Sequence, residues 1–392
     1  MYVTRPLSLY QKDPSALSLA PPEGPNSGIL VIQDEEADQP TCCFGLCKSN
    51  RAKNMPFPQN KNLEVRYTTQ TGEHQHVNVN RVLFIPVLNL PLSSNQYYCI
   101  ERKGRDRGAA YRNSKEEDMK TCCFCSCISD LEPQALDPQD IHQKFEIQQR
   151  KWGSFVAKSV APDGFPPTFL RRKGWTVYTS SPPHEFELKE APGLDKNLRA
   201  RLPHFSFPLS CRSSPPVEVG KWYCPLMFIR DGAFKDQMDN SRYYEMTLEQ
   251  QWQQIFSCES NYNEGNAVTV DVAVETEVVE VAGKESMLQS DKQVIDGVMW
   301  FRSGGNVGGE ARVGLSLAVV ERMKWEQERF GWIGASERQV RVKRVEEFGG
   351  QGGWRRFGCY VLVERFALKR MNGSLVMTYD FRHTQHIRSK WE

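Results

Sequence analysis

The chain of 392 residues has little net charge, no long apolar run and no motif of a known reaction, and each absence narrows its function. A formal charge of +2 provides no chain-wide basic field of the kind that nucleic-acid binding usually requires. No stretch reaches the roughly 18 apolar residues of a membrane span, and residues 1 to 10 lack the charged-then-apolar run of a secretory signal. The expected location is therefore the cytoplasm or nucleus, with no secretion. The last residues carry no prenylation box, and Tyr2 stands where myristoylation needs glycine, so cysteine acylation is the lipid route left open. Neither a Gly-x-Ser-x-Gly elbow, a His-Glu-x-x-His pair, a kinase set nor a dinucleotide fingerprint occurs. The sequence predicts no catalytic residue, no cofactor and no small-molecule substrate. It favours a non-catalytic interaction protein with a protein partner. An enzyme whose catalytic residues lie far apart in sequence, or a zinc-stabilised nucleic-acid binder, is the alternative.

No proline follows Pro225, and only Cys258 and Cys359 of the twelve cysteines lie beyond it. Proline cannot donate to a sheet ladder and restricts the residue before it, so the first part should be short strands and turns. At 39% hydrophobic and 25% charged residues the whole should nevertheless pack. Three regions are expected: a cysteine-bearing region over 1–150, a proline-rich surface wrap over 151–225, and a β-rich domain over 226–392. The first carries a repeat with an offset of 80 residues, in which Thr41, Cys42, Cys43, Phe44 and Cys47 recur as Thr121, Cys122, Cys123, Phe124 and Cys127. The repeat suggests two duplicated units, headed by strands at 29–32 and 97–100, which should superpose within 26–66 and 94–147.

Beyond Pro225, Thr247 to Gln250 has the spacing of a capping box ahead of Trp252, Ile255 and Phe256, which predicts a helix. Val268, Val270, Val272 and Val274 alternate with polar neighbours, the period of a half-buried strand. Further strands are expected at 294–301, 340–345 and 359–368, while 315–330 reads as either strand or helix. Asn372-Gly373 predicts a two-residue hairpin turn into a strand over 375–381. The expected class is α+β, mainly antiparallel β, with few helices.

MYVTRPLSLY at the start, GPNSGILVIQDEE, TCCFGLC, FPQNKNLEVRY, VGKWYCPLMFI, YYEMTLEQQW, VERMKWEQERFGW and YDFRHTQHIRSKWE together resemble the plant family known as domain of unknown function 1262. The resemblance implies no established activity, cofactor or catalytic residue. Some members bear an insecticidal crystal toxin label, against which the lack of a secretory signal weighs here.

The cysteines are the most specific chemical feature. Cys43, Cys47, Cys123 and Cys127 would supply four thiolates to zinc in a way that obeys the repeat, although adjacent cysteines do not match the usual ligand spacing. Cys42, Cys43, Cys122 and Cys123 are acylation candidates, since Lys48, Arg51 and Lys53 follow the first cluster and a lipid chain anchors better beside a basic patch. Packing of small cysteines in tight turns is the favoured explanation. His74 and His76 would share one face of a strand and could offer two metal ligands. His383 and His386, three apart, read as surface histidines. The glycine-rich stretches 303–309 and 349–353 lack the Lys-Ser/Thr ending of a phosphate loop and read as loops. Residues 338–392 are locally basic with interleaved aromatics, a pattern open to nucleic acid or anionic lipid, but the solvated face of alternating strands is the favoured account.

Overall fold

A computed structural model describes residues 1–37, 41–42, 47–72, 74–122, 125–182, 187–260, 266–285, 294–303, 311–334 and 339–392. Strands dominate, in sheets whose pairings are almost all antiparallel. The larger sheet has the order Gly28–Ile32, Tyr2–Pro6, Val217–Pro225, Tyr243–Glu259, Arg356–Arg370, Leu375–Trp391, Glu277–Val281, Lys284–Glu285, with Gly193–Leu194 also against Val217–Pro225. Its first two strands run parallel. The opening of the chain thus shares a sheet with its last third, so the compositional break at Pro225 is not a break between sheets. The second sheet runs Ser154–Ser159, Phe145–Arg150, Gln96–Glu101, His74–Pro86, Asn62–Thr71, Thr176–Ser180, Arg51–Ala52. Two of the strands it needs come from 151–225, the stretch expected to wrap the surface. Besides smaller sheets and single 3-10 turns, the described residues include five α-helices: α1 Leu7–Lys12, α2 Thr168–Arg171, α3 Lys196–Arg201, α4 Phe234–Asn240 and α5 Leu317–Arg329.

Each large sheet has its own apolar core. Phe57, Phe84, Tyr97, Phe155 and Trp175 pack ring against ring on the second sheet, and the Trp175 indole N–H donates to the Leu170 carbonyl at 2.8 Å. On the larger sheet, Val319, Val320 and Met323 of α5 pack with Tyr379 and Phe381 from the strand Leu375–Trp391. Those residues explain the ambiguity at 315–330: the strand Arg312–Ser316 ends at Ser316 and α5 begins at once.

The helix expected after Thr247 does not form. Residues 243–259 are one strand of 17 residues between Val217–Pro225 and Arg356–Arg370. Both of its faces are covered over much of its length, so buried residues occur without period-2 alternation and imitate a helical stripe. Gln250, read as the closing residue of a capping box, instead bonds the Glu364 carboxylate and the Arg199 carbonyl. The hairpin at Asn372-Gly373 does form, joining Arg356–Arg370 to Leu375–Trp391. Only Gly373, at φ 83°, is left-handed, and its N–H donates to the Arg370 carbonyl. The turn is therefore longer than the two-residue type expected, with a register shift after Leu368.

The strands that head the two TCCF stretches lie in different sheets. The strand that heads the first lies parallel to Tyr2–Pro6 in the larger sheet, whereas the strand that heads the second lies antiparallel to both neighbours in the other. Each stretch makes a small hairpin of its own, but Cys42 pairs with Cys47 while Cys122 pairs with Cys125 and Cys127 with Lys120.

Candidate functional site

Among the described residues a cleft of about 830 Å³ opens at the end of the second sheet. Its polar wall is the segment that leaves the first cysteine hairpin: Ser49 and Asn50, the terminal strand Arg51–Ala52, then Lys53 and Asn54. This wall is tied at both sides. Thr179 donates its N–H to the Asn50 carbonyl at 2.7 Å, and the Gln149 amide reaches the Lys53 carbonyl at 3.1 Å and Asn54 Oδ1 at 3.0 Å. The opposite wall is apolar, with Leu7 and Tyr10 of α1 and Leu17 of the turn after it.

Arg51, Lys53 and Lys61 line this cleft, and among the described residues no carboxylate, imidazole or thiol lines it. Among the described residues none of the three cations has an ion-pair partner; Lys61 Nζ approaches only Ser181 Oγ, at 3.5 Å. Arg51 is held from behind. Its Nη2 donates to the carbonyls of Trp152 at 2.7 Å and Gly153 at 3.1 Å. Those carbonyls can meet one guanidinium because Trp152 at φ 64° and Gly153 at φ 61° are both left-handed. A bulky residue rarely adopts that region, and Trp152 is 89% exposed, so burial of its ring does not pay for the strain.

A second polar cluster is buried between the larger sheet and α5. Arg199 donates from Nε to Glu364 Oε1 at 2.8 Å, from Nη2 to Glu364 Oε2 at 2.5 Å, and from Nη1 to Glu326 Oε1 at 2.8 Å. Arg322 completes the set on Glu326 Oε2 at 2.7 Å. His383 sits 2.9 Å from Gln327 Oε1 and 3.8 Å from Glu364, fully buried. Burial pushes the Glu364 carboxyl up, but the hydrogen bonds and charge of Arg199 outweigh it and hold the group below its ordinary range. Burial pushes His383 down to about 4, against the pull of Glu364. With no solvent access, these charges hold α3, α5 and the sheet together; they offer nothing to a ligand.

His383 is thus not the surface histidine expected. A register shift between Val361 and Leu362 skips residues 384–386 of the partner strand, and the rings of His383 and His386 then both pack on Phe330. His74 and His76 are exposed on their strand, opposite Thr71 and Thr69, and no group of three or more metal-ligating residues occurs among the described residues. Cys43 and Cys123 lie outside the described residues, as do 304–309 of the first glycine-rich stretch; Cys127 is exposed. Arg51, read as part of a basic flank for acylated Cys42 and Cys43, is a wall of the cleft.

Several cations of the basic stretch 338–392 are paired within the fold. Arg365 pairs with Asp380, Arg370 with Asp231 and Arg341 with Asp271, each through two hydrogen bonds, and Arg388 lies over the Trp252 ring. The cleft cations were missed as a group, although residues 41–63 contain Lys48, Arg51, Lys53 and Lys61 and no Asp or Glu.

Residues 23–124 match the family model described as "Protein of unknown function (DUF1262)". That segment spans both TCCF stretches up to Phe124 and the cationic wall of the cleft. No curated protein matches the chain. Among solved structures it is similar to that titled "Crystal structure of Cry35Ab1", with 12% sequence identity, a TM-score of 0.47, and coverage of 86% of this chain and 90% of that one.

Proposed function

We propose that the chain is a non-catalytic interaction protein of the cytosol or nucleus, and that it binds an anionic segment of a protein partner in the cleft at Arg51. One observation carries this reading: three cations line the cleft, and none of its described lining residues is acidic. Opposed walls of apolar and cationic side chains suit a peptide that presents both kinds of residue, and a volume near 830 Å³ lies within the range of ligand sites. The polar side chains among the described lining residues are cations, amides and hydroxyls, which recognise an anion by charge and hydrogen bonding. Acylation of the first cluster is less well supported, because Arg51 turns toward Trp152 and Gly153.

The test is fluorescence anisotropy of a labelled hexaglutamate peptide titrated with the full chain. Binding should weaken as salt rises from 50 to 500 mM on the order of a screened surface interaction. Replacing Arg51, Lys53 and Lys61 by glutamine should abolish it. Equal binding by that triple variant would refute the assignment.

A further inference from the structure

The cleft contains more recognition chemistry than a simple acidic segment requires. Arg51 is fixed before any ligand arrives, since the left-handed turn Trp152–Gly153 engages Nη2 through two carbonyls and Gly153 packs so closely that a Cβ there would lie 2.9 Å from Lys53 Cβ. A pre-set guanidinium loses less freedom on binding than a mobile one, and with Nη2 engaged by the two carbonyls Nη1 is left as its donor for an oxyanion. Lys53 and Lys61 add two point charges, while Ser180 and Ser181 add hydroxyl donors. A phosphate monoester carries about two negative charges and three strong acceptor oxygens, whereas a carboxylate carries one charge and two oxygens. The donor set is in proportion to the former.

The cleft also contains a sheet terminus. Among the described residues Arg51–Ala52 pairs only with Thr176–Ser180, Arg51 opposite Tyr178 and Ala52 opposite Val177, and is the last strand in its sheet, its Arg51 N–H donating to Ser49 Oγ at 3.2 Å. A terminal strand offers main-chain groups to an extended chain, an arrangement used in peptide recognition by strand addition. A lipid headgroup or a free phosphate would make no use of it.

We infer that the cleft recognises a phosphorylated serine or threonine in an extended segment of the partner protein, with the phosphate at Arg51, Lys53 and Lys61 and the flanking chain along Arg51–Ala52. The inference rests on the anionic-segment reading above and makes it specific.

The experiment compares three degenerate peptide pools on the full chain by fluorescence anisotropy: one with a central phosphoserine, one with glutamate at that position, and one with serine. Vesicles containing an anionic phospholipid form a fourth arm. The expected result is binding of the phosphoserine pool at least about tenfold tighter than the glutamate pool, no binding of the serine pool, and a loss of about tenfold or more in Arg51→Gln. Lys53→Gln, at an exposed position, should reproduce part of that loss while keeping the wild-type melting temperature, which separates lost recognition from misfolding. Equal binding of phosphoserine and glutamate pools would overturn the phosphate inference and leave the anionic-segment reading standing. Failure of both pools, or binding of vesicles alone, would overturn both.

Discussion

Glu364→Gln removes one charge from the centre of the buried cluster without changing its shape, and the consequence follows from the partners left behind. Glu364 accepts three hydrogen bonds, two from Arg199 and one from Gln250, and its side chain has no exposure. Arg199, 5% exposed at its side chain, would keep one carboxylate, Glu326, which it shares with Arg322. Two buried guanidinium groups would then share a single negative charge. Breaking a buried pair by removing one partner costs about 3–5 kcal/mol; the surviving Glu326 pair and the acceptor oxygen of glutamine place this variant near the lower end, about 3 kcal/mol. Urea unfolding followed by tryptophan fluorescence should show the midpoint falling with an unchanged slope. Arg199→Met combined with Glu364→Leu should be milder than the two single losses added together, because no uncompensated charge remains at that pair. A loss below about 1 kcal/mol in Glu364→Gln would refute the claim that these charges hold α3, α5 and the sheet together.

Other outcomes follow from particular groups. His383 titrates at about 4 when folded and at 6.5 when exposed, so its contribution is complete above pH 6.5 and declines as pH falls toward 4, by about 3 kcal/mol in total. Glu364, also held below its ordinary range, adds a further loss below about pH 4.5. Stability unchanged between pH 7 and 5 by urea titration would contradict the buried, neutral His383. Trp152→Gly should leave the protein as stable or up to about 1 kcal/mol more stable, since it relieves a left-handed tryptophan that is 89% exposed; a melting temperature lowered by several degrees would show that the ring packs. Gly373→Ala, at φ 83° with no atom within 4 Å of the added carbon, should cost about 1 kcal/mol through backbone strain alone, measured by the same unfolding assay.

The elements legible in the sequence were those with a local cause. The valines of 268–274 alternate because the ribbon Ala267–Glu275 packs one face on Trp354 and Phe357, and the Asn372-Gly373 turn is specified by its own residues. Tyr243–Glu259 was not legible, because its burial is imposed by the strands on either side of it, Val217–Pro225 and Arg356–Arg370, and by what packs on both faces. The same holds for Arg199, whose partners lie 127 and 165 residues away, and for His383, which a shift in strand register carries into the core. In the cleft, the acid-free run ending at Lys61 was visible in the sequence. Its meaning depended on Trp152 and Gly153, about 100 residues on, turning their carbonyls toward Arg51.

The most direct test of the cleft is where an anionic peptide attaches. A hexaglutamate peptide carrying a benzophenone photo-crosslinker, irradiated with the full chain and mapped by mass spectrometry, should label residues 49–61 together with 179–181, and should lose that labelling when Arg51, Lys53 and Lys61 are replaced by glutamine. Crosslinks concentrated in the basic stretch 338–392, or unchanged by the three substitutions, would contradict the account.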